Sequence, residues 1–436
     1  MADNKIFAKY TDAETFNKIV DYSSLTDMWE SSVKSCGDSL AVIDEDKEYT
    51  YSQLDAEIAA FRAVLTDRGI KAGDVVGLLA PNSVGFIKAY LAINTIGAAA
   101  VLLPAHLDTM TVFGCSMKFG LKGLVYDAAL EEKTEIIKAK VPTLPLITTA
   151  ETSEKSIPAV YPDENSLSTV IFTGGTTGNS KGARLSHRAV VRGTKNGCYG
   201  IKEIFNQRYF LVLPLTHVFG LIRNTLAAFY TGSSLFICRN NKNMFKDIAT
   251  YRPTIMIFVP ALAEMALNLS KQFGRNMLGE DMKTIICGAA PVSPYLVREY
   301  AKLGITLLPG YGLTESANLV SGNPEALAKP TRLFIPDVAR LINEVITHPD
   351  STELGDGRAM YATAKVYESL SKIGKSFDAF AVFIGDKNNY TSLNIIDNKA
   401  YNDFCENNNL HKLNDRITVA KWNRSEAAKA TAAARK

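Results

Sequence analysis

The chain contains no C-x-x-C pair. Its six cysteines, Cys36, Cys115, Cys198, Cys238, Cys287 and Cys405, are scattered. That spacing is a poor framework for disulfides or zinc, and reduced, mostly buried thiols of a cytosolic protein are expected. No apolar run approaches the ~20 residues needed to span a bilayer; the longest, Leu91 to Pro104, is short and interrupted. Met1 to Tyr10 is polar and lacks the apolar core of a signal peptide, so a cytoplasmic location is expected. An excess of one charge sign is also missing. Lys and Arg number 48 against 45 Asp and Glu, a net charge of +3, too small to imply a nucleic-acid or membrane partner. No basic stripe interleaved with aromatics appears, which argues against nucleic acid. The local exception is the basic, Ala-rich stretch Lys421 to Lys436, read as a frayed, solvated helix or a weak electrostatic contact arm.

What is present is an ordinary globular composition, 47% hydrophobic and 21% charged, able to bury a large core. The length suits about two to three domains of roughly 150 residues. Short, continuous apolar runs such as Val75 to Leu79 and Ala99 to Leu103 read as strands of a buried parallel sheet. Helical spacing follows Tyr49 to Tyr51, with Ser52 as the expected cap, and recurs over Asn82 to Gly97, His187 to Asn196, Val218 to Tyr230, Pro260 to Leu269 and Val292 to Lys302. Further strands are expected at Leu40 to Ile43, Leu167 to Phe172, Tyr209 to Leu213, Ser234 to Ile237, Ile255 to Val259, Thr284 to Cys287 and Thr306 to Leu308. Alternation of this kind predicts an α/β fold of doubly wound, mostly parallel sheets with helices between. Beyond Pro330 the texture changes. Helical spacing at Pro336 to Ile346 and Met360 to Ile373, and strands at Phe380 to Ile384, Leu393 to Ile396 and Ile417 to Lys421, suggest a small α+β unit. The expected domains are residues 1–330 and 331–436.

One loop stands out. Residues 171–183 read Ile-Phe-Thr-Gly-Gly-Thr-Thr-Gly-Asn-Ser-Lys-Gly-Ala, directly after an apolar strand. Glycines let backbone N–H groups turn toward an anion, hydroxyls add donors, and Lys181 adds a point charge. This is a phosphate cradle. It is not a Walker loop, in which glycine directly precedes the lysine; here Ser180 does, which disfavours a P-loop kinase or GTPase.

The string resembles the signature of the adenylate-forming family, which comprises acyl-CoA synthetases, peptide-synthetase adenylation domains and luciferases. There a loop of the form [YF]-T-S-G-[ST]-T-G-x-P-K-G closes on the β- and γ-phosphates of ATP. The match runs through Phe172, Thr173, Gly175, Thr176, Thr177, Gly178, Lys181 and Gly182, with Gly174 in place of the usual serine and Ser180 in place of the usual proline. Pro214-Leu-Thr-His-Val-Phe-Gly220 is similar to the family's P-L-x-H-x-x-G segment, so the resemblance implies an acid pocket near His217, Val218 and Gly220. Gly288-Ala289-Ala290-Pro291 looks like its adenine-contacting turn. Gly310-Tyr-Gly-Leu-Thr-Glu-Ser316 is similar to its G-Y-G-x-T-E segment. That likeness implies Tyr311 and Gly312 against adenine, Thr314 near the α-phosphate and Glu315 on Mg²⁺. Taken alone, the same string also fits a strand-to-helix turn with a capping Thr-x-Ser. Tyr49 to Leu54, Gly73 to Gly77 and Pro81-Asn82 resemble structural landmarks of the family.

The resemblance covers residues 25–325. It implies ATP-dependent activation of a carboxylic acid to an acyl adenylate with release of pyrophosphate, then thioester formation with coenzyme A. Lys181, Thr314 and Glu315 would be the catalytic residues and ATP and Mg²⁺ the cofactors. The Ala- and Leu-lined stretch Leu215 to Ala228 points to an apolar acid such as a fatty acid. Three family features are not found in residues 326–436: the T-G-D aspartate that holds the ribose, the R-x-K-x-x-G hinge, and the lysine of the mobile C-terminal domain. The alternatives are therefore a degenerate nucleotide-binding relic, or a split-enzyme subunit whose C-terminal domain is a separate partner.

Overall fold

The computed structural model describes residues 13–173, 181–198, 201–323, 326–327, 381–382 and 393–394. The strands are β1 (Leu40–Asp44), β2 (Lys47–Thr50), β3 (Val75–Leu79), β4 (Ala99–Leu103), β5 (Gly123–Tyr126), β6 (Leu146–Thr148), β7 (Leu167–Thr173), β8 (Lys181–Ser186), β9 (Arg208–Leu211), β10 (Ser234–Ile237), β11 (Ile255–Phe258), β12 (Thr284–Cys287), β13 (Thr306–Leu313) and β14 (Asn318–Gly322). One sheet has the order β6-β5-β3-β4-β7-β8, the other β14-β13-β12-β11-β9-β10-β1-β2. Interior neighbours pair parallel, while β1–β2, β7–β8 and β13–β14 are antiparallel. The continuous apolar strands are the central ones: every residue of β4, β11 and β12 is buried, as helices on both faces require.

The mixed parallel sheets with intervening helices agree with the α/β expectation. Boundaries moved for local reasons. Thr50, not Ser52, caps the helix Tyr51–Asp67, because Thr50 and Gln53 form a reciprocal capping box. The helix expected over Asn82 to Gly97 runs Val84–Thr95, capped by Ser83. The strand expected to end at Leu308 extends to Leu313 because β14 returns to pair with it. Of the expected elements beyond Pro330, Ala381–Val382 and Leu393–Asn394 form an antiparallel pair; the others lie outside the described residues. Among the described residues no helix is long and apolar enough to cross a membrane.

Side chains weld the layers. Trp29 and Tyr51 stack with centroids 5.8 Å apart and Phe229 meets both edge-on at 5.2 and 6.1 Å, and the Tyr51 hydroxyl donates to Ser233 O at 2.7 Å. Asp44, buried at the end of β1, accepts from Val84 N at 2.7 Å and from Arg239 Nε and Nη2 at 2.6 Å each. Asn82, just past β3, donates to Leu213 O at 2.8 Å and accepts from Leu215 N at 2.9 Å. These bonds join residues that follow the carboxyl ends of strands in both sheets, so the two carboxyl edges face one another. Open α/β sheets bind ligands at such edges, where the strand order reverses; here β9 sends its chain to β10 on one side and pairs with β11 on the other.

Candidate active site at the facing sheet edges

Three of the sequence segments leave the carboxyl ends of strands in one sheet. Pro214 to Gly220 follows β9, Gly288 to Pro291 follows β12, and Gly310 to Gly312 ends β13. Cys287 is in register with Pro309, which sets Gly288 beside Gly310. A Cβ on Gly288 would lie 2.7 Å from Gly310 O and 3.4 Å from Phe219 Cζ, so glycine lets the backbones touch. Ala289, Ala290 and Gly312 are exposed and offer a wall without long side chains. Ala289 has φ +65°, a left-handed conformation costing an L-residue about 1–2 kcal/mol. Ala289→Val, which adds β-branching there, is expected to lower stability by a further ~1–2 kcal/mol; an unchanged melting temperature would refute that account.

The Gly310 to Ser316 string is not a strand-to-helix turn. It runs through β13 into a hairpin with β14. Ser316 Oγ accepts from Leu313 N at 3.1 Å and lies 2.9 Å from Leu313 O, and Ala317 N donates to Thr314 O at 3.0 Å. A bulge between Tyr311 and Gly312 brings Gly312 against the returning strand; a Cβ there would lie 1.9 Å from Asn318 O. Thr314 is half-buried and Glu315 exposed at the hairpin tip.

β7 and β8 pair as a second hairpin at the ends of the Gly- and Thr-rich segment. Thr173 pairs with Lys181 and Phe172 with Gly182, so the backbones at both loop ends are held in register. Gly174, Gly175, Thr176, Thr177 and Gly178 lie outside the described residues, as do the side chains of Thr173 and Lys181. Gly182 has a packing reason: a Cβ there would meet Val170 Cγ1 at 2.7 Å and Phe119 Cζ at 3.0 Å.

Behind this hairpin the helix His187–Asn196 carries a residue that no motif singled out. Gly193 lies against the second hairpin: a Cβ there would stand 2.1 Å from Ala317 O, and Asn318 Nδ2 donates to Gly193 O at 3.3 Å. A glycine inside a helical pattern was the available signal. It ties the helix that follows β8 to the Thr314–Glu315 turn.

His217 is exposed, and its Nδ1 accepts from Phe219 N at 3.2 Å. Desolvation by the surrounding protein lowers its pKa, so the ring is neutral near pH 7. Val218 is buried, and Gly220 packs on Pro214, whose O would be 2.2 Å from a Cβ at that position. Phe219, which was not among the pocket residues expected from the motif, is the side chain that reaches Gly288. No cluster of three or more His, Cys, Asp or Glu side chains suited to a metal occurs among the described residues.

Comparison with known proteins bears on the family and the fold. The model of the AMP-binding enzyme family matches residues 29–339. The medium-chain fatty-acid–CoA ligase of Escherichia coli K12 is 25% identical over 327 residues, covering 68% of this chain and 56% of that protein. A long-chain-fatty-acid–CoA ligase of Escherichia coli O157:H7 is 27% identical over 351 residues, covering 70% and 62%. The chain thus spans less than two thirds of the length of these relatives. Among solved structures, the inhibitor-bound N-terminal domain of FACL13 from Mycobacterium tuberculosis superposes with a TM-score of 0.62 at 26% identity, covering 70% of this chain and 80% of that one. The anthranilate CoA ligase AuaEII, solved with anthranoyl-AMP, shares the fold with a TM-score of 0.62 at 19% identity, covering 69% of this chain and 61% of that one. The family match takes in well over half of the chain and every segment that converges on the facing sheet edges: this protein belongs to the AMP-binding enzyme family.

Proposed function

We propose that the chain activates a carboxylic acid with ATP and passes the acyl group to coenzyme A. The observation that carries this reading is the convergence of Phe219, Gly288, Gly310 and the Thr314–Glu315 hairpin at one sheet edge. In the first step a carboxylate oxygen attacks the α-phosphorus, the bond to the bridging oxygen breaks, and pyrophosphate leaves. In the second, the thiol of coenzyme A attacks the acyl carbonyl, loses its proton, and AMP departs.

On this reading Gly288, Ala289, Ala290, Pro291, Tyr311 and Gly312 receive the adenine, for which the Gly288–Gly310 backbone contact leaves a flat wall. Thr173 to Gly178 and Lys181 hold the phosphates. Thr314 faces the α-phosphate, and Glu315 is the protein ligand to Mg²⁺, whose charge offsets the approach of two anions. His217, Val218 and Gly220 shape the entry of the acid, with neutral His217 adding no charge to compete for the carboxylate. The domain assignment, residues 1–330 as the nucleotide-binding unit and 331–436 as a separate one, belongs to the same proposal.

Pyrophosphate exchange with ATP, Mg²⁺ and a panel of straight-chain acids tests the activity. Exchange with at least one acid is expected. ATP binding without exchange for any acid would overturn the ligase reading in favour of a nucleotide-binding relic. Lys181→Ala is expected to weaken ATP binding about 10- to 100-fold, the worth of a charge-assisted phosphate contact. Isothermal titration would read it, and unchanged affinity would remove the loop from the phosphate site.

A further inference from the structure

The stretch that the sequence suggests as an apolar acid pocket holds a buried cation. The helix entered at His217 winds as a π-helix over Leu221–Leu226, a local form frequent at functional sites. Within it Arg223 is 2% exposed. Its Nη1 has no hydrogen-bond partner among the described residues, and its guanidinium packs on Gly197, where a Cβ would come within 3.1–3.2 Å of Cδ, Nε and Nη1. The Tyr209 hydroxyl, on the adjoining strand β9, is buried beside the guanidinium and Thr231 and interacts with both, but makes no hydrogen bond of good geometry among the described residues.

Among the described residues no anion in the immediate neighbourhood balances this charge. Burial pushes the Cys198 thiol up to about 12 and raises the Tyr209 phenol well above its ordinary value, so both neighbours stay protonated. The carboxylate of Asp21 is engaged by Arg192 and Lys195. Burying a charge without a partner is strongly unfavourable. A guanidinium held this way, with a phenol O–H beside it, presents donors to a group that arrives from outside.

We propose that Arg223 and Tyr209 form a subsite for a second carboxylate at the far end of the acid, so that the substrate class is a dicarboxylic acid. This rests on the ligase reading above. Arg223 lies six residues beyond His217, at most about 9 Å along the helix even at the α-helical rise of 1.5 Å per residue, so the activated carboxylate lies at one end of the helix and the second at Arg223. A planar guanidinium paired with a carboxylate is the strongest such contact. A monocarboxylic acid of the same length would leave the buried cation unpaired.

The test compares adipate and suberate with hexanoate and octanoate, in the wild type and in Arg223→Met, by two readouts. In pyrophosphate exchange the wild type is expected to favour the diacids by about 10- to 100-fold in kcat/KM, the worth of a hydrogen bond to a charged group. Arg223→Met is expected to lose that preference and to accept the monoacids. In a thermal-shift assay without nucleotide, suberate should raise the wild-type Tm and leave the variant's unchanged. The ligand-free variant should melt at or above the wild-type temperature, since an apolar side chain replaces an uncompensated charge; a purely structural arginine would give the opposite. Equal use of mono- and diacids by the wild type, or an unchanged preference in Arg223→Met, would overturn the subsite. If no acid supports exchange, the ligase reading falls by itself, and the thermal shift still decides the subsite: no shift with either diacid refutes it.

Discussion

Gly193→Ala is expected to destabilise the protein by about 2–3 kcal/mol, the cost of forcing an atom into a packed interior, and to weaken ATP binding about tenfold or more without touching the nucleotide. The added methyl would stand 2.1 Å from Ala317 O, a backbone atom that cannot rotate away. Relief requires the helix His187–Asn196 and the hairpin at Thr314–Glu315 to separate, losing the bond from Asn318 Nδ2 to Gly193 O. The helix continues from β8, whose first residue is Lys181, so the displacement moves the proposed phosphate lysine relative to the proposed α-phosphate and Mg²⁺ residues. Gly114→Ala is the control. Gly114 lies within the helix Thr109–Lys118 with open space around it, and alanine there should add about 0.5–1 kcal/mol of stability. Chemical denaturation and ATP titration of both variants check the pair. Wild-type stability and affinity in Gly193→Ala would show that the contact does not couple the two hairpins.

The second large effect is on pH. His187 is fully buried at the start of the same helix. Its Nδ1 accepts from Leu25 N at 3.4 Å, and its Nε2 has no partner among the described residues. Burial lowers its pKa to about 4 from 6.5. Between those values the unfolded chain binds a proton that the folded one refuses, so stability rises with pH across the window. The contribution is complete above pH 6.5 and is lost as pH falls toward 4. At 1.36 kcal/mol per unit the loss is about 3 kcal/mol. Carboxylates titrate over part of the same range, so the measurement is a difference: the stability of wild type and His187→Gln at pH 7 and pH 4.5. The wild type is expected to lose about 2–3 kcal/mol more than the variant, and equal losses would show that His187 is protonated in the folded state.

Membership of the AMP-binding enzyme family was legible because it is carried by short strings of restricted composition. A Gly- and Thr-rich loop after an apolar strand reads as an anion cradle from residue types alone. The proposed role of Tyr311 to Glu315 rests on order and spacing relative to that loop. The helix boundaries were less legible: Thr50 and Gln53 form a capping box that competes with Ser52 only once both side chains are placed. The hairpin form of Gly310 to Asn318 was hidden because β14 contributes half of its bonds, and a partner strand leaves no mark on local propensity.

The amino-acid sequence by itself determined the type of each central strand, since a run such as Ala99 to Leu103 has no polar residue to show solvent. It also supplied the reading of residues 173–182 as a phosphate loop, which belongs to the proposed function. Only the tertiary structure decided that Asn82 and Asp44 bring the two sheet edges face to face, that Gly193, Gly288 and Gly312 are glycines because another backbone lies where a Cβ would be, and that Arg223 is buried without an anion among the described residues. The reason is physical. A motif is a property of neighbours along the chain, whereas close approach and charge compensation depend on atoms far apart in sequence, and Gly193 meets Ala317 only after both sheets have formed.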